Sequence, residues 1–213
     1  ISHSDDLTIY LGQKIIHQPL QVRELSRPFN FHRPTGDTPE SLYLAAQTLE
    51  NERDYRAALE KYRQVIDMVP DHLRALTRLA ELHLCRGEYQ KALDYARRSL
   101  EISMYDPEAN YVYGLIARRL NKPAEAKETL GWATRSPALA LPAYLQLAEI
   151  ALAEGDYSQA EEYARRAHNF DRENPLPYEL LAVALRLQQQ KKEASRTLRE
   201  LLEIEPLNHL ARY

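Results

Sequence analysis

The residues of this chain that could carry catalysis or bind a metal do not fall into a familiar arrangement. Its seven histidines show neither an HExxH pattern nor a paired His/Cys spacing. The single cysteine, Cys85, excludes an internal disulfide framework. His3, Asp5 and Asp6 are close in sequence only, and no nucleophile–base pair or phosphate loop accompanies them. We therefore expect no enzyme activity, no cofactor and no metal site.

The elements that would position a binding site are clearer, because two small residues recur at a fixed spacing of 34 residues. The first series is Ala46, Ala80, Gly114, Ala148 and Ala182, and the second is Ala58, Ala92, Ala126, Ala160 and Ala194. Larger apolar residues surround both series with a period of 3.6, which indicates amphipathic helices. Short side chains let two helices approach to about 8–10 Å. Each stretch is therefore predicted to be a pair of closely packed helices.

The sequence also indicates where these helices begin and where the turns between them lie. A capping side chain precedes proline at three predicted helix starts: Thr38-Pro39, Asp106-Pro107 and Asn174-Pro175. Gly87 and Gly155 occupy the same place in their repeats, where a left-handed residue ends the first helix. The third and fifth repeats depart from this turn, at Asn121-Lys122-Pro123 and Gln189-Gln190-Lys191.

An unbroken 34-residue period with these small positions resembles the tetratricopeptide repeat (TPR), a helix–turn–helix unit that stacks into a solenoid. The resemblance covers 170 of 213 residues, 39–208, in five units: 39–72, 73–106, 107–140, 141–174 and 175–208. It implies an all-α, right-handed superhelix and a surface for protein interactions. Residues 209–213 are expected to begin a C-terminal cap over the last apolar face.

Residues 1–38 do not follow the repeat. Apolar and polar residues alternate through Leu7–Leu11, and a second apolar piece follows around Ile15, so we expect a β-hairpin or extended segment. A proline-containing linker with Phe29 and Phe31 follows. Because an isolated hairpin is marginal in water, this segment is expected either to pack on the first helices or to be the tail of an upstream domain.

A second resemblance concerns three segments: Tyr105–Gly114, Gly131–Thr134 and Glu205–Tyr213. They are similar to the C-terminal TPR repeats of large bacterial proteins, in which a β-rich, sugar-enzyme-like region precedes the repeats. The chain also starts at Ile1 without methionine. We therefore expect a module of a longer, multidomain bacterial protein, soluble and either cytoplasmic or periplasmic.

The TPR resemblance implies a binding groove, since the concave face of such domains is lined by positions 2, 5, 9 and 12 of each unit. The groove residues chosen on this basis are Tyr43, Gln47, Arg74, Thr77, Glu81, Glu108, Tyr111, Arg118, Leu145, Glu149 and Arg186. Tyrosine and arginine are enriched at binding hot spots. The alternative for the tyrosines is packing against the adjacent repeat. The lysines and asparagines of the chaperone-binding carboxylate clamp are absent, so a ligand of that free-carboxylate type is not predicted.

Trp132 suggests a second contact, on the side of its helix that normally faces solvent. A lone exposed tryptophan often marks an interface. Its expected partners are the linker aromatics Phe29 and Phe31, or a neighbouring domain or subunit. The alternative is that the Ser136-Pro137 break tilts the helix and buries the ring locally.

Composition narrows the class of partner. A net charge of −3 without a basic stripe argues against nucleic acid, and no run of 18 apolar residues could span a membrane. The leading hypothesis is a non-catalytic scaffold that binds a peptide or partner domain through the groove. The alternative is a structural or oligomerisation module that docks onto an upstream, carbohydrate-active type of domain of the same protein.

Overall fold

The computed structural model describes residues 9–11, 14–17 and 36–212. The chain divides into two compact units, residues 1–35 and 36–213.

The first unit contains a pair of short antiparallel strands, β1 (Ile9–Leu11) and β2 (Lys14–His17). Tyr10 lies opposite Ile15, and the register is irregular between Ile9 and Tyr10. The linker residues Phe29 and Phe31 lie outside the described residues.

The described part of the second unit, residues 36–212, is a succession of eleven helices. They are α1 (Pro39–Asn51), α2 (Tyr55–Met68), α3 (Leu73–Cys85), α4 (Tyr89–Ile102), α5 (Pro107–Arg119), α6 (Pro123–Ala133), α7 (Pro137–Glu154), α8 (Tyr157–Phe170), α9 (Pro175–Leu187), α10 (Lys191–Ile204) and α11 (His209–Arg212). The odd-numbered helices α1 to α9 are called A helices here, and the even-numbered helices B helices. The predicted all-α repeat fold is confirmed.

The three helix starts predicted from a cap and a proline are confirmed. The side chains of Thr38, Asp106 and Asn174 each accept a hydrogen bond from a backbone N–H two or three residues later. Each satisfies a backbone donor that has no partner within its helix. Proline then occupies the first helical position, where a missing N–H costs nothing.

Every A helix from α1 to α9 ends in a residue with left-handed backbone at the same place in its repeat. The φ angles are 64° at Arg53, 74° at Gly87, 58° at Asn121, 80° at Gly155 and 65° at Gln189. Glycine adopts this conformation without steric cost, whereas other residues pay about 1–2 kcal/mol. Only two repeats have glycine at this position, yet all five have the same left-handed turn. The packing of the helix pair therefore sets the turn.

Both series of small residues are buried at the contacts between helices. Each A helix packs on the B helix that follows it, and each B helix packs on the next A helix. The A helices also contact one another, from α3 to α5, α5 to α7 and α7 to α9. One face of the stack is therefore built from A helices alone.

One A helix is longer than the repeat period predicts. Helix α7 begins at Pro137, four residues before the unit boundary at residue 141, and the preceding α6 has only 11 residues. Ser136 is the N-cap of α7 and Pro137 is its first residue, a position that favours proline, so this helix begins early. Pro142 then lies inside α7, one turn from its start.

Candidate binding surface

A cavity of about 780 Å³ opens on the face built by the A helices. It is called the A-helix cavity below. Its lining residues are Tyr43, Gln47, Glu50, Asn51, Arg74, Thr77, Arg78, Glu81, Glu108, Tyr111, Val112 and Leu139. Seven of the predicted groove residues are among them: Tyr43, Gln47, Arg74, Thr77, Glu81, Glu108 and Tyr111.

These side chains converge because residues three and four apart share a face of a helix. Tyr43, Gln47 and Glu50 form such a row on α1. Helices α3 and α5 add equivalent rows from the next two repeats, and Leu139 comes from the early first turn of α7. Four successive A helices therefore contribute to one cavity.

An arginine ties two of these helices together at the cavity. The Nη2 atom of Arg78 lies 2.8 Å from Oε2 of Glu50 on α1, and its Nη1 atom lies 2.5 Å from Oε2 of Glu81 on its own helix. The Glu50 side chain is only 10% exposed. Burial raises the pKa of Glu81, although Arg78 acts in the opposite direction. The guanidinium of Arg78 is thus already committed to two carboxylates.

The two cavity tyrosines are half-buried and still reach the cavity. Tyr43 packs on Tyr62 and His72, with ring centroids 5.5 and 5.2 Å away, and accepts a hydrogen bond from Gln47. Tyr111 packs against the core between α5, α6 and α7. Burial raises the pKa of both phenols, so they are protonated near neutral pH and able to donate hydrogen bonds. Each of the two tyrosines therefore packs on neighbouring side chains and still exposes part of its ring to the cavity.

The other predicted groove residues lie outside this cavity. Arg118 pairs with Glu149 and donates a hydrogen bond to Gln146, so it links α5 to α7. Leu145 is 8% exposed and belongs to the core. Arg186 is exposed on α9.

Four lining residues occupy positions that the family pattern does not use: Asn51, Arg78, Val112 and Leu139. Glu50 is at position 12 of the first unit, which is a groove position of the family, although it is not among the groove residues chosen. Arg78 and Val112 directly follow predicted lining residues in the repeat, one position beyond the row that the family pattern uses. The signal for Leu139 is the Ser136-Pro137 pair, which starts α7 early.

Trp132 has partners within the repeats. Its ring lies 4.6 Å from that of Tyr105, and the guanidinium carbon of Arg135 lies 4.0 Å from its centroid. Met104 and Tyr105 beside it are 64% and 62% exposed. Trp132 is thus half-buried at the edge of an exposed apolar patch, defined here as Met104, Tyr105 and Trp132.

Among the residues that the structure describes, no group of three His, Cys, Asp or Glu side chains could hold a metal ion. None of the helices that the structure describes is long and apolar enough to cross a membrane.

Comparison with known proteins gives one family match. A tetratricopeptide repeat family model matches residues 43–107 and 111–175. No curated protein matches the chain in sequence.

Solved structures give further similarities at the level of the fold. MamA from Desulfovibrio magneticus RS-1 superposes with a TM-score of 0.71 at 17% identity, covering 82% of this chain and 98% of that chain. YrrB, described as a TPR protein with an unusual peptide-binding site, has a TM-score of 0.70 at 18% identity, covering 82% and 90%. PilW, a type IV pilus biogenesis factor, has a TM-score of 0.70 at 22% identity, covering 82% and 80%.

Proposed function

Because this chain belongs to the tetratricopeptide repeat family, we propose that it is a protein-interaction scaffold that binds an extended peptide segment in the A-helix cavity. The observation that carries this proposal is the convergence of side chains from four A helices on one cavity of about 780 Å³. Cavities that bind small ligands have volumes of about 300–1,000 Å³. A cavity of this size has room for several side chains of a peptide, while the peptide backbone would follow the row of A helices.

The chemistry of the walls also supports a peptide ligand. Tyr43 and Tyr111 offer rigid aromatic surface with a hydroxyl at one end, a combination enriched at binding hot spots. Gln47 and the carboxylates supply hydrogen-bonding groups around them, whereas the hydroxyl of Thr77 is buried and already donates to the Leu73 carbonyl. YrrB, which has a similar fold, is described as having a peptide-binding site. Tetratricopeptide repeat proteins are in general non-catalytic scaffolds, and we assign this chain no reaction.

Tyr111→Ala tests the proposal. We expect the variant to lose affinity for peptides selected from a random library by about tenfold or more, because truncating a buried hot-spot aromatic costs about 2 kcal/mol. Fluorescence anisotropy with the selected peptides measures the change. Tyr55→Ala is the matched control, since Tyr55 is exposed at the start of α2 and does not line the cavity. The proposal is contradicted if both variants lose the same amount of affinity for the peptides, or if neither variant loses any.

A second candidate function is structural, and one observation favours it. The exposed patch of Met104, Tyr105 and Trp132 borders a separate groove of about 630 Å³ between α4, α5 and α6. Large exposed apolar side chains that cluster in this way are typical of contacts between proteins or domains. In this candidate the repeats dock through the patch onto another domain of the same protein or onto a second copy.

A further inference from the structure

Helix α7 adds an apolar side chain to the A-helix cavity that a regular repeat would not supply. Leu139 is at position 33 of its unit, and in the other four units this position lies in the turn between two helices. The residues there are Asp71, Tyr105, Glu173 and Leu207. Because α7 begins at Pro137, Leu139 is instead part of its first turn, is partly exposed and lines the cavity.

Leu139 belongs to an apolar end of the cavity, built by α5 and α7. Leu139 and Ala143 are four residues apart and share a face of α7. Tyr111 of α5 packs on the buried cluster that contains Ala143. Val112, the next residue of α5, is 5% exposed and also lines the cavity. Tyr111, Val112 and Leu139 are called the apolar wall below.

The charged residues of the cavity offer a ligand less than this wall does. Arg78 is already paired with Glu50 and Glu81, and replacing these contacts by contacts with a ligand would gain little. Arg74 and Glu108 are exposed, so an ion pair with either is weakened by water. Apolar surface, in contrast, is stabilised when another apolar group covers it. We therefore expect the apolar wall to contribute most to selectivity.

We propose that the apolar wall takes a large apolar side chain of the peptide, and that Leu139 determines the size of the side chain that fits. This inference rests on the proposed peptide-binding function. A leucine, isoleucine, methionine or phenylalanine of the peptide packs on the ring of Tyr111 and against the branched side chains of Val112 and Leu139. A charged side chain at the same place would lose water against two aliphatic groups.

A positional-scanning library of short peptides, measured on the full chain, tests this selectivity. We expect a large apolar residue to be enriched at one position, and alanine there should weaken binding about tenfold or more, as truncation of a central interface side chain does. Leu139→Ala leaves space at the wall, so the preference at that position should shift to a larger residue such as tryptophan. Leu139→Phe fills space, so the preference should shift to valine or alanine.

Leu141→Ala is the matched control. Leu141 lies in the same part of α7 and is partly buried like Leu139, but it does not line the cavity. This variant should leave the preferred residue at every peptide position unchanged. Circular dichroism checks that each variant is folded, and if Leu139→Ala does not fold, the opposite shift expected for Leu139→Phe decides the test.

The outcomes separate this inference from the proposed function. If the Leu139 variants lower the affinity for all peptides alike, or change nothing, Leu139 does not determine the size of the bound side chain and the inference falls. Enrichment of charged residues at every position also overturns it. If Tyr111→Ala still weakens the binding of those peptides, the peptide-binding function stands. If no library peptide binds, both proposals fall.

Discussion

At the scale of single residues, His83 shows how a polar group is accommodated in the core of the repeats. Leucine fills the equivalent position in the first and last repeats, at Leu49 and Leu185. The His83 ring is 1% exposed, stacks on Tyr95 at 5.4 Å, and pairs through Nδ1 with Glu88 at 2.9 Å. Its Nε2 atom is buried without a partner among the described residues.

The neutral form of this imidazole is favoured in the folded chain. Burial lowers the pKa of His83, against the opposing effect of Glu88. Arg63 and Lys91 also disfavour the charged ring. Lys91, which donates to Glu88, together with His83 and Arg86 holds the pKa of Glu88 at about 2, so Glu88 stays ionised across the neutral range.

His83→Leu should therefore remove a pH-dependent loss of stability. Since the unfolded chain binds the proton more readily than the folded one, the free energy of unfolding of the parent falls as the pH drops below about 6.5, the ordinary histidine pKa. Urea unfolding between neutral and mildly acid pH measures this, and the difference in favour of the variant should grow as the pH falls. His209→Gln, which changes an exposed histidine on α11, is the control. Parallel curves for His83→Leu and the parent would contradict this prediction.

At the scale of elements, Gly114 lies where helices α5 and α6 cross closely. The other four A helices carry alanine at this position. A Cβ atom on Gly114 would lie 2.6 Å from Cγ of Leu130 on α6 and 3.0 Å from Oγ1 of Thr129. Real Cβ contacts of that length are excluded, so α5 and α6 fit together only because residue 114 has no side chain.

Gly114→Ala should destabilise the chain by about 1 kcal/mol, because overpacking costs about 1–3 kcal/mol and alanine regains about 1 kcal/mol of helix propensity. Gly131→Ala on α6 is the matched control: nothing lies within 4 Å of its added Cβ, so it should stabilise by up to about 1 kcal/mol. Thermal unfolding measures both. In a Leu130→Ala background the cost of Gly114→Ala should disappear, and if it persists, the clash is not its cause.

At the scale of the whole repeat unit, contacts run mainly between neighbouring helices, so stability builds up along the stack rather than in one central core. Such a stack has long faces that a compact domain would bury. The A-helix cavity lies on one of these faces, and the patch around Trp132 lies on helices α4 to α6 and their connections. Within residues 36–212, the cavity and the patch are therefore two separate surfaces.

Trp132→Glu tests the second surface. If the patch is a docking site, we expect the glutamate to abolish the association of the chain with a second copy or with its upstream region, because a charge there would be buried without a partner. Light scattering coupled to gel filtration measures the association, and Trp132→Phe, which keeps the apolar surface, should retain it. Unchanged association together with lower stability would assign Trp132 to local packing against Tyr105 and Arg135.

The sequence by itself determined the repeat fold, because its signals act locally along the backbone. A cap before proline starts a helix wherever it occurs, and small residues 12 apart fix where two consecutive helices cross. The resemblance to tetratricopeptide repeats supplied the groove positions, and seven of the residues chosen from them line the A-helix cavity.

Only the tertiary structure decided which of those side chains are free. Arg118, one of the three predicted groove arginines, is held by Glu149 on α7. Arg78, which was not predicted to line the groove, reaches Glu50, 28 residues away. The early start of α7 brings Leu139 into the cavity. These features depend on side-chain rotamers and on burial between neighbouring helices. The free energy of each ion pair depends on its solvent exposure, which a local sequence pattern does not give.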